Sequence, residues 1–220
     1  MEIGAGTNLQ NANLFAANLS SSDLSEANLS NANLSKANFS SSGLNHAILE
    51  FANLTEAILS GAYLEEANLR GANLTEAILS DANLRLVILY RANLTYAKLS
   101  SANLTEANLA EANLTRADLR FANLKNANLT RANLTKATFL YTDFSHANLF
   151  QANLTGLELD EYLVEESTVS ADFSHANLCG ANLTEANLSG ANFHGAILSG
   201  ANLYGAVLKG ATMPDGTIHD

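Results

Sequence analysis

The feature that most constrains this chain is a five-residue period. From Leu9 to Leu154 every fifth residue is leucine, except for phenylalanine at 39, 139 and 144. The residue two places earlier is small and is almost always alanine, so the unit reads Ala-Asn-Leu-x-x. A period of five fits neither regular element, because it rotates successive leucines by about 140° around an α-helix and alternates them between the two faces of a straight strand. The chain can keep every leucine on one side only if it turns once per repeat.

The outward residues indicate how many repeats complete one coil. If the leucine is position i, then i−2 and i face inward, while i−1, i+1 and i+2 face outward or form a corner. Identical outward residues recur every 20 positions, and the segment 52–60 recurs unchanged at 72–80. A fifteen-residue coil would instead place Asn13 and Asn28 in one column with Gly43. The sequence therefore predicts an all-β parallel solenoid with four pentapeptides and about 20 residues per coil, in which stacked asparagines form an amide ladder.

This unit and its period resemble the pentapeptide-repeat family, and the resemblance covers most of the chain. It implies a right-handed quadrilateral parallel β-helix, and the handedness comes from the resemblance alone. The Ala, Asn and Leu-rich composition and the ending Met213-Pro-Asp-Gly-Thr-Ile-His-Asp220 are similar to cyanobacterial members.

The pattern predicts a single β-helix domain over residues 1–220 with one interruption. A main repeat block spans 7–155, an acidic interruption 156–170, a second block 171–213 and a C-terminal tail 214–220. Phe173 follows Leu154 by one position less than a full coil. We expect either a coil shortened by one residue or about four extra residues bulging from three faces. The interruption is either a tolerated irregularity or an acidic contact site for a partner, formed by Glu158, Asp160, Glu161, Glu165 and Glu166.

No pattern of catalytic or ligating residues stands out. His146 and His175 lie in identical segments, but no cysteine or carboxylate accompanies them at ordinary metal-ligand spacing. Cys179 is the only cysteine and lacks residues that would activate it as a nucleophile. We therefore expect surface histidines, no metal, no cofactor and no enzymatic activity.

Composition narrows the classes of protein to which the chain can belong. The chain has a net charge of −11 and 47% hydrophobic residues, which disfavours both a disordered chain and a basic nucleic-acid binder. No apolar run approaches the length of a membrane span, and no signal peptide is visible. The expectation is a cytoplasmic protein with no direct contact to nucleic acid or membrane.

Outward apolar residues concentrate between positions 48 and 96. Ile58 and Ile78 fall in one column, and Tyr63, Tyr90 and Tyr96 are among the outward residues of the same coils. Such a patch indicates a partner surface, although a β-branched residue also suits the surface of a strand. We therefore predict a non-enzymatic scaffold for an unidentified protein partner, whose open strand edges allow end-to-end or dimeric self-association.

Two alternative functions remain open. The family resemblance implies a DNA mimic that inhibits a type II topoisomerase (gyrase), because some members bind gyrase. The acidic net charge agrees with that alternative, but basic residues interrupt the surface, and no helical C-terminal dimerisation module is evident. A more remote alternative is ice binding by the regular asparagine and threonine columns.

Overall fold

The coil geometry is visible in a computed structural model, which describes residues 4–157 and 171–220. Across these residues the backbone forms isolated β-bridges and turns and contains no helix. The described residues therefore include no helix that could cross a membrane. The predicted acidic contact residues Glu158, Asp160, Glu161, Glu165 and Glu166 lie outside the described residues.

Parallel bridges join residues that are 20 positions apart, as in Asn13↔Asn33 and Ile58↔Ile78. They form four columns, which confirms the predicted period of four pentapeptides. We number the faces in chain order: face 1 begins at Asn8, face 2 at Asn13, face 3 at Asn18 and face 4 at Asp23. Each face is then continued by the bridged residues of later coils.

Most corners are tight turns closed by a backbone hydrogen bond. At the first corner, the amide of Ala12 donates to the carbonyl of Leu9 at 3.0 Å, and Asn11 has φ 59°. A positive φ at the third residue of a turn is the type II arrangement, which glycine or asparagine adopts most easily. Glu56, with φ 57°, shows that this protein also places other residues there. The inward leucines and the bonds between coils offset that local strain.

The core is a continuous stack of the inward alanines and leucines. These residues are almost all fully buried between Leu24 and Phe193. Three of the phenylalanines that replace leucine form a stack beside the interruption: the ring centroids of Phe144 and Phe173 lie 4.9 Å apart, and those of Phe173 and Phe193 lie 5.1 Å apart. Burial of each leucine contributes about 2 kcal/mol, so the repeat stabilises itself along its whole length.

The interruption lengthens one coil, and both expectations for its length were wrong. Asp143 bridges to Asp172 and Asn153 bridges to Asn182, so these partners are nine positions further apart than the partners in other coils. The extra residues are inserted between Leu157 on face 3 and Ala171 before face 4. Phe173 lies two faces after Leu154, whereas the expectations assumed a distance of four or three faces. The stack tolerates this insertion because both ends rejoin the same columns.

The tail folds back as a hairpin. Thr212 and Ile218 form an antiparallel bridge, and the amide of Gly216 donates to the carbonyl of Met213 at 2.9 Å. The side chain of Ile218 remains exposed. The hairpin therefore pairs with the end of face 4, while Leu198, Leu203 and Leu208 of the last coil are only partly buried.

Candidate partner-binding surface

Face 3 carries a shallow groove that runs along the axis of the solenoid. Its volume is about 590 Å³, and we call it the face-3 groove; it is lined by Glu56, Ile58, Glu76, Ile78, Tyr96 and Lys98. The segment 52–60, repeated at 72–80, creates the groove. Its isoleucine faces outward on face 3, and its glutamate stands at the corner between faces 2 and 3. Identical Glu-Ala-Ile sequences therefore lie in register, one coil above the other.

The groove combines an apolar floor with an acidic edge. Ile58 and Ile78 are half-buried and form the floor, while Glu56 and Glu76 are exposed at the corner. Nζ of Lys36 lies 3.4 Å from Oε2 of Glu56. Glu76 has no cationic partner within salt-bridge distance among the described residues. An exposed ion pair contributes little to stability, so both carboxylates remain accessible to a cationic ligand.

Tyr96 and Lys98 form the end of the groove that points toward the C-terminus. The guanidinium carbon of Arg116 lies 5.7 Å from the centroid of the Tyr96 ring. This cation–π contact continues the corner column into the next coil. The structure thus brings together Ile58, Ile78 and Tyr96 from the predicted patch.

Tyr63 and Tyr90 lie elsewhere. Tyr63 is on face 4, where it bridges to Gly43 and Asn83. Tyr90 stands at the corner between faces 1 and 2. The predicted patch is therefore spread around the solenoid, and only its face-3 part forms a groove.

Tyr90 belongs to a charged cluster of its own. The guanidinium carbon of Arg91 lies 4.9 Å from the Tyr90 ring centroid, and that of Arg70 lies 5.7 Å from it. Nε of Arg91 donates to Oε2 of Glu111 at 2.7 Å. This hydrogen bond lowers the pKa of Glu111 and raises the pKa of Arg91. Within the cluster Arg91 is paired with Glu111, whereas Arg70 contacts the Tyr90 ring.

The sequence interpretation missed an exposed aromatic pair. Phe121 and Tyr141 stack at the corner between faces 3 and 4, with ring centroids 5.6 Å apart. Both occupy position i+2, in successive coils. The same column rule that paired Ile58 with Ile78 would have found them.

The predicted asparagine ladder is present on face 2, and threonine hydroxyls take part in it. Oγ1 of Thr95 donates to Oδ1 of Asn93 at 2.6 Å and accepts from Nδ2 of Asn113 at 2.9 Å. Beside these threonines the direct contact between successive asparagine amides is longer, at 3.4 Å from Nδ2 of Asn93 to Oδ1 of Asn73, whereas Nδ2 of Asn33 lies 3.0 Å from Oδ1 of Asn13. The threonine hydroxyls are therefore engaged within the protein.

On face 3, Asp118 is held by a fork of donors. Nε and Nη2 of Arg120 each donate to its carboxylate at 2.8 Å. Partial burial alone would raise the pKa of Asp118, but the hydrogen bonds from the side chain and backbone of Arg120 lower it overall. Arg120 and its carboxylate partner thus form a surface ion pair with well-aligned geometry.

Comparisons with known proteins agree with this architecture. Residues 7–50, 47–85, 88–120, 117–156 and 171–210 match the family of Pentapeptide repeats, with eight copies. A search among curated proteins gave no match.

Among solved structures, the chain is similar to HetL, a pentapeptide repeat protein involved in heterocyst differentiation regulation in the cyanobacterium Nostoc sp. strain PCC 7120. The identity is 39% with a TM-score of 0.83, covering 97% of this chain and 92% of HetL. It is also similar to a trypsin-treated form of QnrB1, a plasmid-mediated fluoroquinolone resistance protein, with 20% identity and a TM-score of 0.58, covering 74% of this chain and 87% of that protein. The second likeness shows the fold alone.

Proposed function

Because the chain belongs to the pentapeptide-repeat family, we propose that it is a non-enzymatic scaffold that binds another protein through the face-3 groove. From the same family relationship we propose that the coil is right-handed. The observation that carries the proposal is the groove itself, in which half-buried isoleucines lie beside the exposed carboxylates of Glu56 and Glu76. An exposed apolar strip with a polar border is typical of a protein-binding surface.

The chemistry of the groove suggests the segment it would hold. Aliphatic side chains would pack on Ile58 and Ile78, and lysine or arginine side chains would face Glu76. Tyr96 adds a rigid ring at the end of the groove, and tyrosine is common among residues that dominate binding energy. The proposed partner therefore presents a short segment of mixed aliphatic and basic residues. A cytoplasmic location belongs to the same proposal.

The test compares two faces of the same molecule. Ile78→Lys places a charge on the groove floor, whereas Ile88→Lys makes the same change on face 1, where Ile88 is 38% exposed. Affinity capture from a lysate of the source organism should yield a protein that binds the intact chain and the face-1 variant but not Ile78→Lys. A captured protein that ignores the groove substitution would contradict this role for face 3.

The acidic interruption is a second proposed contact. Neutralising Glu158, Asp160, Glu161, Glu165 and Glu166 together should weaken partner capture if these residues take part, and should leave it unchanged if the insertion is a tolerated irregularity. The same experiment, run beside Ile78→Lys, separates the two surfaces.

Gyrase inhibition is the alternative proposal, and its support is the net charge of −11 together with the shared fold. The surface charge speaks against it. Between positions 116 and 136 basic residues occur at all four corners, namely Arg116, Arg120, Lys125, Arg131 and Lys136. A continuous acidic surface like that of DNA would be interrupted there. A supercoiling assay decides the matter, because a DNA mimic must inhibit gyrase at moderate excess.

Ice binding and self-association remain as subsidiary proposals. The threonine hydroxyls on face 2 are engaged by asparagines, which leaves them poorly placed to bind ice, and the absence of thermal hysteresis would reject that function. End-to-end or dimeric association would use the last coil, whose leucines are only partly buried. Light scattering over a range of protein concentrations measures it directly.

A further inference from the structure

Three histidines meet at the corner between faces 4 and 1, near the C-terminal end. We call His146, His175 and His194 the histidine cluster. The ring centroids of His146 and His175 lie 5.0 Å apart, and those of His175 and His194 lie 5.7 Å apart. The three are distant in the sequence, so only the coil brings them together.

We propose that the histidine cluster binds one divalent transition-metal ion of borderline character, such as Zn²⁺, between His175 and one of its two neighbours. Imidazole nitrogen is a common ligand for such ions. In a tetrahedral chelate by two histidines with Zn–N distances of about 2.0–2.1 Å, the two ring centres lie about 5 Å apart. Both observed ring separations are close to that value, so chelation requires the rings to turn but not to move far apart. Rotation of the side chains brings the nitrogens to one ion.

The surroundings place no polar partner on these rings. All three residues are exposed, and no side-chain hydrogen bond or ion pair engages their imidazoles among residues 4–157 and 171–220. By contrast, Nδ1 of His46, at the same corner near the other end, lies 3.5 Å from Oε2 of Glu66. Asp143 and Asp172 add two carboxylates on the adjacent column of face 4. These two carboxylates outnumber Lys125, which stands at the same corner one coil before His146.

Glycine at 195 makes room for the central ring. A Cβ atom there would lie 2.5 Å from Nδ1 of His175 and 2.7 Å from its Cε1. The His175 ring thus lies across the backbone of the next coil, within reach of both neighbouring histidines. No group of three or more ligating side chains is placed to hold one ion in the described part of the chain. Water completes the coordination, and the ion exchanges readily.

The proposal predicts an unequal response to three similar substitutions. His175 belongs to both pairs, whereas His146 and His194 are two coils apart, or about 10 Å. His175→Ala should therefore weaken Zn²⁺ binding about tenfold or more. His146→Ala and His194→Ala each leave one pair intact and should weaken it only about twofold. His46→Ala is the matched control and should have no effect.

Isothermal titration of the full chain with ZnCl₂ measures these affinities and the stoichiometry. We expect one ion per chain, because the two pairs share His175. Circular dichroism of each metal-free variant verifies the fold, and His175→Gln serves as a second variant at the central position. Binding that survives both His175 substitutions, equal losses in all three alanine variants, or two ions per chain would overturn the proposal.

Discussion

The phenylalanine stack across the lengthened coil leads to a prediction about how the protein comes apart. Phe173 is the first inward ring after the insertion, is fully buried, and contacts Phe139, Phe144 and Phe193. It joins the second repeat block to the first. In a solenoid each coil contacts only its neighbours, so weakening one junction should release the coils beyond it.

The magnitude follows from burial. A phenylalanine side chain buries about 150–250 Å², which at about 25 cal/mol per Å² amounts to about 4–6 kcal/mol as an upper bound. Measured truncations of buried phenylalanine to alanine cost about 3–5 kcal/mol. Phe173→Ala should therefore cost about 4 kcal/mol, which corresponds to roughly a thousandfold change in the opening equilibrium.

Native-state hydrogen exchange with residue resolution is the appropriate assay. The amides of Asn177, Asn182 and Asn192, which donate to the preceding coil, should exchange roughly a thousandfold faster in Phe173→Ala. The amides of Asn33 and Asn53 should keep their protection.

Phe39→Ala is the matched control, because Phe39 is also fully buried but lies in the N-terminal half. It should produce the reciprocal pattern, with protection lost near Asn33 and retained at Asn192. Equal loss of protection at both ends in either variant would refute the idea that the coils open in sequence from each end.

Three further predictions concern local structure. Gly71→Ala should destabilise the protein by about 1 kcal/mol more than Gly61→Ala, as measured by denaturant unfolding. Both glycines have positive φ, but only a Cβ at 71 would meet an aromatic ring, that of Phe51, at 2.6 Å. Asp118→Asn should cost up to about 1 kcal/mol near pH 7. Because the folded-state pKa of Asp118 is lowered, its stabilisation is present above the unfolded pKa and is lost as pH falls through the folded pKa, so wild type and variant should converge in acid unfolding. Thr95→Val removes one hydrogen bond within its coil and one between coils, and should lower the free energy of unfolding by about 1–2 kcal/mol. Thr105→Val removes only a bond within the coil and should lower it by about half as much. Thermal unfolding would measure both losses.

The functional surface was only partly predictable. The column rule placed Ile58 above Ile78 because positions one coil apart must stack. The same rule places Tyr63 and Tyr90 in other columns, but the predicted patch grouped residues by coil, and residues of one coil lie on different faces. The histidine cluster was hidden for a related reason: its members are too far apart in the sequence to match an ordinary ligand motif.

The coil follows from the pattern of the sequence alone. A period of five with inward alanine and leucine requires a turn at every repeat, and the recurrence of outward residues every 20 positions sets four pentapeptides per coil. Local repetition is enough for this, since each repeat meets the same neighbours. The place where the chain rejoins the stack after the interruption does not follow from that pattern, because the pairing of Asp143 with Asp172 depends on core contacts between residues far apart in sequence. That pairing sets the register of the last coils, and with it the corner at which His146 meets His175.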